Sequence, residues 1–169
     1  MSQQNNTIAL FDLDSLLYRA VHKAVSVSEI REQLKSVFVS MNRKQAKAAI
    51  REWIVENCFC KLEQMTFKIL EDASKMGAET DQVELYISFC PLSERKKIEP
   101  SYKANRQPNL WVNRLRAYIV DKSNMEVKSN LKWEADDLIA NRAKALRNEG
   151  IDYVVFAIDK DLRQIEGTH

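Results

Sequence analysis

Three short segments of the chain carry carboxylates at spacings that suit a shared site. One is 134-EADD-137, where Glu134, Asp136 and Asp137 open a helical run. Another is Asp12, at the end of the apolar run TIALF (7–11), with Asp14 two residues on. The third is Asp159 with Asp161, directly after YVVFAI (153–158). Alone, each is ordinary. Acidic residues in a first helical turn face the positive end of the helix dipole. Asp12 after a strand suits a turn, and Asp159 suits the N-cap of a helix opening at Asp161. Brought together, ionised carboxylates repel, and they relax by taking up protons or binding cations. Hard divalent ions, Mg²⁺ first and Mn²⁺ second, prefer oxygen ligands and keep several waters. Two such ions roughly 4 Å apart can activate a water and stabilise the leaving oxygen of a phosphodiester. Within the acidic helix start, Glu134 and Asp137 share a face at i, i+3, whereas Asp136 points elsewhere and would cap or act through a water.

The elements that must position these groups read as an α/β domain. TIALF, VELYISF (83–89), a short stretch at 126–128 and YVVFAI read as strands, the first and last being buried runs. From Ser28 to Met76 the pattern is helical. Ile30, Leu34, Val37, Phe38 and Met41 recur at threes and fours, and Ile50, Ile54, Leu62, Met65, Ile69 and Leu70 do so in outline. Ser28 is the expected N-cap, Asn42 the break between two helices and Gly77 the end of the second. Further helices are expected over about 108–120 and from Trp133 to Gly150. Strands alternating with helices imply a mostly parallel sheet flanked by helices. In such a sheet, ligands gather beyond the carboxyl ends of the strands, where Asp12 and Asp159 fall. Between the acidic segments lies 91-PLSERKKIEPSYKANRQPNLWVNRLR-116, with seven Lys/Arg against two acidic residues. Alone, this basic run is a solvated helix face.

Composition sets the frame. A chain of 169 residues, 45% apolar and 30% charged, suits one domain with its own core. The net charge of +2 says little about partners, so its distribution matters more. No apolar run is long enough to span a bilayer, and the polar start is not a signal peptide. Cys58, Cys60 and Cys90 form no paired framework, which fits a reduced, cytoplasmic compartment. Cys58 and Cys60 read as helix positions rather than a metal site.

At this point the chain resembles a known family, the N-terminal nuclease domain of the 5′-nucleases. These are the flap endonucleases and 5′→3′ exonucleases of bacteriophages and of bacterial DNA polymerase I, with a PIN-like fold. FDLDSLLYRA (11–20) resembles the family's opening Asp-Gly-x-x-x-x-Tyr-Arg-Ala. ERKKIEPSYKANR (94–106) resembles its Phe-Arg…Tyr-Lys-x-x-Arg block, WEADDLIA (133–140) its Glu-Ala-Asp-Asp helix start, and VVFAIDKDLRQI (154–165) its Asp-Lys-Asp-(Leu/Phe)-x-Gln. The resemblance implies a metal-dependent phosphodiesterase acting on DNA with a 5′ end or flap, or on RNA–DNA hybrids, in replication or recombination. It implies that Asp12, Glu134, Asp136 and Asp137 belong to a first metal site, some through waters, and Asp159 and Asp161 to a second. The basic segment would be the helical arch that the 5′ strand passes. There Lys103 and Arg106 would act on the scissile phosphate, Arg95 and Lys96 would contact phosphates, and Tyr102 would stack on a base.

Three departures from the family pattern shape the expectation. Leu13 replaces the glycine after the first aspartate. Ser88 stands where the family places another aspartate, which Asp14 would offset in part. The sequence given reaches His169 without the family's later Gly-Asp-x-x-Asp-Asn-Ile ligands or its helix–hairpin–helix-like module. The second metal site is therefore expected to be incomplete. The alternatives are a non-catalytic nucleic-acid-binding subunit, or one half of a split nuclease completed by a partner chain.

Overall fold

A computed structural model describes residues 7–24, 26–38, 41–75, 80, 82–89, 93–105 and 107–165. Four strands form one sheet: β1 (Ile8–Asp12), β2 (Gln82–Tyr86), β3 (Val127–Lys128) and β4 (Tyr153–Phe156). Their order is β3-β2-β1-β4, and every pairing is parallel. Six helices flank it: α1 (Asp14–Ala24), α2 (Val27–Phe38), α3 (Arg43–Lys75), α4 (Glu94–Ile98), α5 (Leu110–Asp121) and α6 (Ala135–Glu149). A 3₁₀ turn, Lys160–Gln164, follows β4.

The central strand β1 is buried along its whole length, as a parallel strand covered on both faces must be. Its residues alternate between two cores. Phe11 faces one, with Leu13, Leu16 and Leu17, Ile54, Cys58 and Leu62 of α3, and Val112, Leu115 and Ile119 of α5. Phe11 also stacks on Phe156 at 5.6 Å between ring centroids. Ile8 and Leu10 face the other core, with Ala135, Ile139, Ala143 and Leu146 of α6. The crossovers from β1 to β2 and from β2 to β3 therefore cover one face, and α6 between β3 and β4 covers the other. The winding reverses beside β1, so the crevice beyond the ends of β1 and β4 is the place for a ligand.

Local chemistry fixes the helix ends. Ser26, not Ser28, caps α2: the Glu29 amide donates to Ser26 Oγ, and the Ser26 amide donates to Glu29 Oε2 at 2.7 Å. Asn42 breaks the helical pair as expected, its Oδ1 accepting from the amides of Lys44 and Gln45. Asn109 caps α5 in the same way. Gly150 ends α6 with φ of 70°, the left-handed conformation that favours glycine. Helix α1 is an element that sequence periodicity left unassigned. Leu13, the departure from the family glycine, is fully buried beneath it. Strand β2 is shorter than the expected 83–89, and Gly77 and Cys90 lie outside the described residues. Cys58 is buried in α3, and burial pushes its thiol up to about 11, while Cys60 is exposed. No described helix is long and apolar enough to cross a membrane.

One ion cluster ties α6 to the sheet. Glu84 of β2 is 3% exposed, yet it accepts from Arg142 Nη2 at 3.0 Å, from Lys128 Nζ at 2.9 Å and from the Tyr86 hydroxyl. Burial alone would raise its carboxyl, but the bonds from Tyr86, Lys128 and Arg142 outweigh that and hold it below 4.5. Its contribution to stability is thus present above pH 4.5 and lost as acid protonates the folded form. Removing one partner of a buried pair costs about 3–5 kcal/mol, and less here because the cations are partly exposed. Glu84→Ala should therefore cost about 1–3 kcal/mol and lower the melting temperature by several degrees at pH 7, with the difference narrowing below pH 4. An unchanged melting curve at pH 7 would contradict it.

Candidate active site

Beyond the carboxyl ends of β1 and β4 lies a cavity of about 700 Å³. Asp12, Asp14, Glu134, Asp136 and Asp159 line it, together with Lys96, Lys103 and Arg116. Three segments distant in sequence thus deliver carboxylates to one place. Asp137 and Asp161 are not part of the lining.

Asp12 is the most enclosed of these groups, 6% exposed at the end of β1. Its Oδ1 accepts the Asp14 amide at 3.0 Å and its Oδ2 the Ser15 hydroxyl, so its side chain also caps α1. Burial pushes the carboxyl from 3.8 up to about 6, and the neighbouring charges of Asp14 and Asp136 add to the rise. The hydrogen bonds from Ser15 and the Asp14 amide offset only part of it. Asp14 is differently placed. It accepts the Ser88 amide at 3.1 Å and Arg116 Nη2 at 2.8 Å, linking α1 to β2 and α5.

The acidic helix start is matched by the basic segment. Arg95 Nη2 meets Asp137 Oδ1 at 2.6 Å and Asp136 Oδ2 at 2.8 Å, while Nη1 meets the Tyr102 hydroxyl at 2.9 Å. Lys103 Nζ meets Glu134 Oε2 at 2.6 Å. Burial opposes the charge on Arg95 and on Lys103, but the bonds to these carboxylates and to Tyr102 prevail and raise both above their ordinary values. Lys103 holds a left-handed backbone, φ 57°, the conformation that L residues adopt at a cost. The ring of Tyr102 lies against both cations, at 4.9 Å from Lys103 Nζ and 5.6 Å from the Arg95 guanidinium.

Several placements differ from expectation. Asp136 faces the cavity with Glu134, whereas Asp137 turns back to accept the Glu134 amide at 3.2 Å. An acceptor at the third helical position is drawn to the unpaired amides of the first turn. Tyr102 is a hub of ion-pair contacts rather than a free stacking face. Asp159 caps the 3₁₀ turn through the Asp161 amide at 3.0 Å, and Asp161 itself is exposed. Arg106 lies outside the described residues. Ser88 has a function that residue type did not disclose: its Oγ accepts the Ala135 amide at 2.8 Å and caps α6. Tyr18, 48% exposed, lines the cavity from α1, one turn after Asp14; that signal was legible once α1 was recognised.

Among the described residues, no three His, Cys, Asp or Glu side chains converge as a preformed metal-ligand set. The donor chemistry still fits a hard divalent ion. All the cavity carboxylates are oxygen donors, Asp12 is buried with no cation beside it in any ion pair, and Mg²⁺ needs few direct protein ligands because it keeps waters.

A family model described as 5′-3′ exonuclease, N-terminal resolvase-like domain matches residues 7–169. No curated protein and no solved structure gives a significant match.

Asp12 yields a stability test. Its folded form binds a proton more tightly than the unfolded chain, so stability falls as pH rises from 3.8 to about 6, and the full penalty is present above that. At about 1.4 kcal/mol per pKa unit, Asp12→Asn should stabilise the chelator-treated protein at pH 7.5 by about 1–3 kcal/mol. The gain should vanish near pH 4. Thermal melts at the two pH values check this; equal or lower stability of the variant at pH 7.5 contradicts it.

Proposed function

The chain belongs to the family of 5′-3′ exonuclease N-terminal, resolvase-like domains, and from that premise we propose a divalent-metal-dependent 5′-nuclease that hydrolyses phosphodiesters in DNA or RNA–DNA hybrids. The observation that carries the proposal is the single cavity at the switch point of the sheet, walled by Asp12, Glu134, Asp136 and Asp159 and flanked by Lys103. Bound Mg²⁺ or Mn²⁺ would supply Lewis-acid stabilisation of the phosphoryl oxygens and activation of water.

The chain's own residues do the rest. Asp12, Glu134 and Asp136 would hold a first cation and Asp159, with Asp161 nearby in sequence, a second. Asp137 fixes the helix start from which Glu134 and Asp136 project, through the Glu134 amide and Arg95. Lys103 and Arg95 exchange their carboxylate partners for the phosphodiester and stabilise charge developing on its oxygens. Arg106, which the family resemblance assigns to the scissile phosphate, would add a further cation. Water adds to phosphorus, the bond to the 3′ oxygen breaks, and the products are a 5′-phosphate and a 3′-hydroxyl. The half-exposed ring of Tyr18 at the cavity offers a face for a base, which tolerates any sequence.

A second reading rests on the absence of a preformed ligand set among the described residues and on Ser88. In it, the chain binds nucleic acid without cleaving it, or cleaves only when a partner chain adds carboxylates. An end-labelled 5′-flap substrate separates the cases. The nuclease predicts cleavage with Mg²⁺ or Mn²⁺, abolished by chelator and lowered about 10²-fold or more by Asp137→Ala or Asp12→Asn. Undiminished cleavage by Asp137→Ala contradicts it. Binding without turnover supports the second reading, and turnover only on adding another polypeptide supports its split form.

A further inference from the structure

Three buried side-chain polar atoms among the described residues lack a hydrogen-bond partner: Thr66 Oγ1, Ser93 Oγ and Arg116 Nε. Buried donors without partners are rare, and each one calls for an explanation. Thr66 lies in α3, away from the cavity. Ser93 and Arg116 both line it.

Ser93 is 4% exposed and immediately precedes α4. Lys96 stands three residues on, so the two share a side of that turn. Lys96 also lines the cavity, is exposed, and has no ion-pair partner among the described residues. Arg116 comes from α5, on a different part of the chain. Its guanidinium is held by Asp14 at 2.8 Å and, weakly, by Asn113 Oδ1 at 3.4 Å. These two contacts leave donors of the five-donor fork unused, Nε among them. Asp14 in turn accepts the Ser88 amide, from the segment that follows β2.

A hydroxyl donor, a free ammonium and an arginine with spare N–H groups are the groups that bind a phosphate. Resting on the nuclease reading above, we propose that Ser93, Lys96 and Arg116 form a phosphate subsite for the phosphodiester next to the one cleaved, with Asp14 positioning Arg116. The cavity of about 700 Å³ has room for more than one phosphoryl group. Ser93 and Arg116 both line the cavity, and their Oγ and Nε are the buried atoms left without a partner. The subsite holds the strand by charge: Lys96 has no ion-pair partner among the described residues, and Arg116 keeps donors free beside its bridge to Asp14.

The test measures anisotropy of a labelled 5′-flap DNA in chelator across a salt series, then KM and kcat with Mg²⁺. Arg116→Ala should weaken binding about 3- to 10-fold and lower the salt slope by roughly 0.7–0.9, the loss of one phosphate contact. Arg116→Lys should restore much of both. Ser93→Ala should raise KM and weaken binding about 2- to 5-fold with the salt slope unchanged, since no charge is lost. Its melting temperature should hold or rise, because an unpaired buried hydroxyl is removed. A merely structural Asp14–Arg116 bridge moves the melting temperature but leaves the slope and the Ser93→Ala KM untouched. Wild-type binding and cleavage with unaltered slope and KM in these variants overturn the subsite alone. Wild-type protein that neither binds nor cleaves overturns the nuclease reading and the subsite with it.

Discussion

Glu134, Asp136 and Asp137 stand within one helical turn, and three carboxylates so close repel unless positive charge stands among them. Arg95 and Lys103 supply that charge. The position of α4 and the turn that carries Tyr102 and Lys103 follows. Helix α4 buries none of its residues, and Ile98 is 82% exposed, so no apolar core holds this part of the chain. It is held at the start of α6 by ion pairs, by the Tyr102 hydroxyl and by the Glu94 amide, which donates to the Lys132 carbonyl at 3.0 Å. Apolar docking would be indifferent to ions; this docking is not. A cation at the carboxylates, or a phosphate at Arg95 and Lys103, competes for half of each pair. Bringing both together would exchange the partners without leaving either side uncompensated.

The acidic and basic groups meet where the sheet opens a crevice. Only at the carboxyl ends of β1 and β4 do α1, α6 and the turn after β4 open toward the same crevice, since the winding reverses there. Asp12 shows the cost of that geometry. Ending the most buried strand, it sits where a carboxylate is least solvated, and burial is the main cause of its raised pKa. A group kept there against its own solvation contributes little to the apo fold beyond capping α1, and that cap does not need a charge.

Much of this was legible in residue order, for physical reasons that can be named. Buried parallel strands read as unbroken apolar runs, so TIALF and YVVFAI announced β1 and β4 with the carboxylates at their ends. Asn42 and Gly150 mark helix boundaries because their side-chain oxygen and free φ satisfy what helix ends leave unpaired. Helix α1 was less visible, since Asp12, Asp14 and Ser15 look like turn residues. Yet Leu13, Leu16, Leu17 and Ala20 hold helical spacing, and all are buried. The orientation of Asp136 against Asp137 was not legible at all. Both lie in the first turn, and tertiary contact with Arg95 and the pull of the Glu134 amide decide between them. Nor was the pairing of acidic with basic segments, which depends on contacts about forty residues apart, such as Arg95 to Asp136.

Ser88 shows how a changed residue can alter a site without breaking its frame. An aspartate at position 88 would add a sixth carboxylate to Asp12, Asp14, Glu134, Asp136 and Asp159. Serine instead places a neutral oxygen there, and that oxygen takes the Ala135 amide, one of the unpaired donors at the start of α6. Its own amide donates to Asp14, whose other carboxylate oxygen accepts from Arg116. Strand β2, helix α1 and helix α6 are thus joined by two hydrogen bonds through a single residue. The frame on which Glu134 and Asp136 stand is kept, while the repulsion around Asp12 is reduced. Asp14 is thus paired with Arg116, while Asp12 stands in no ion pair among the described residues.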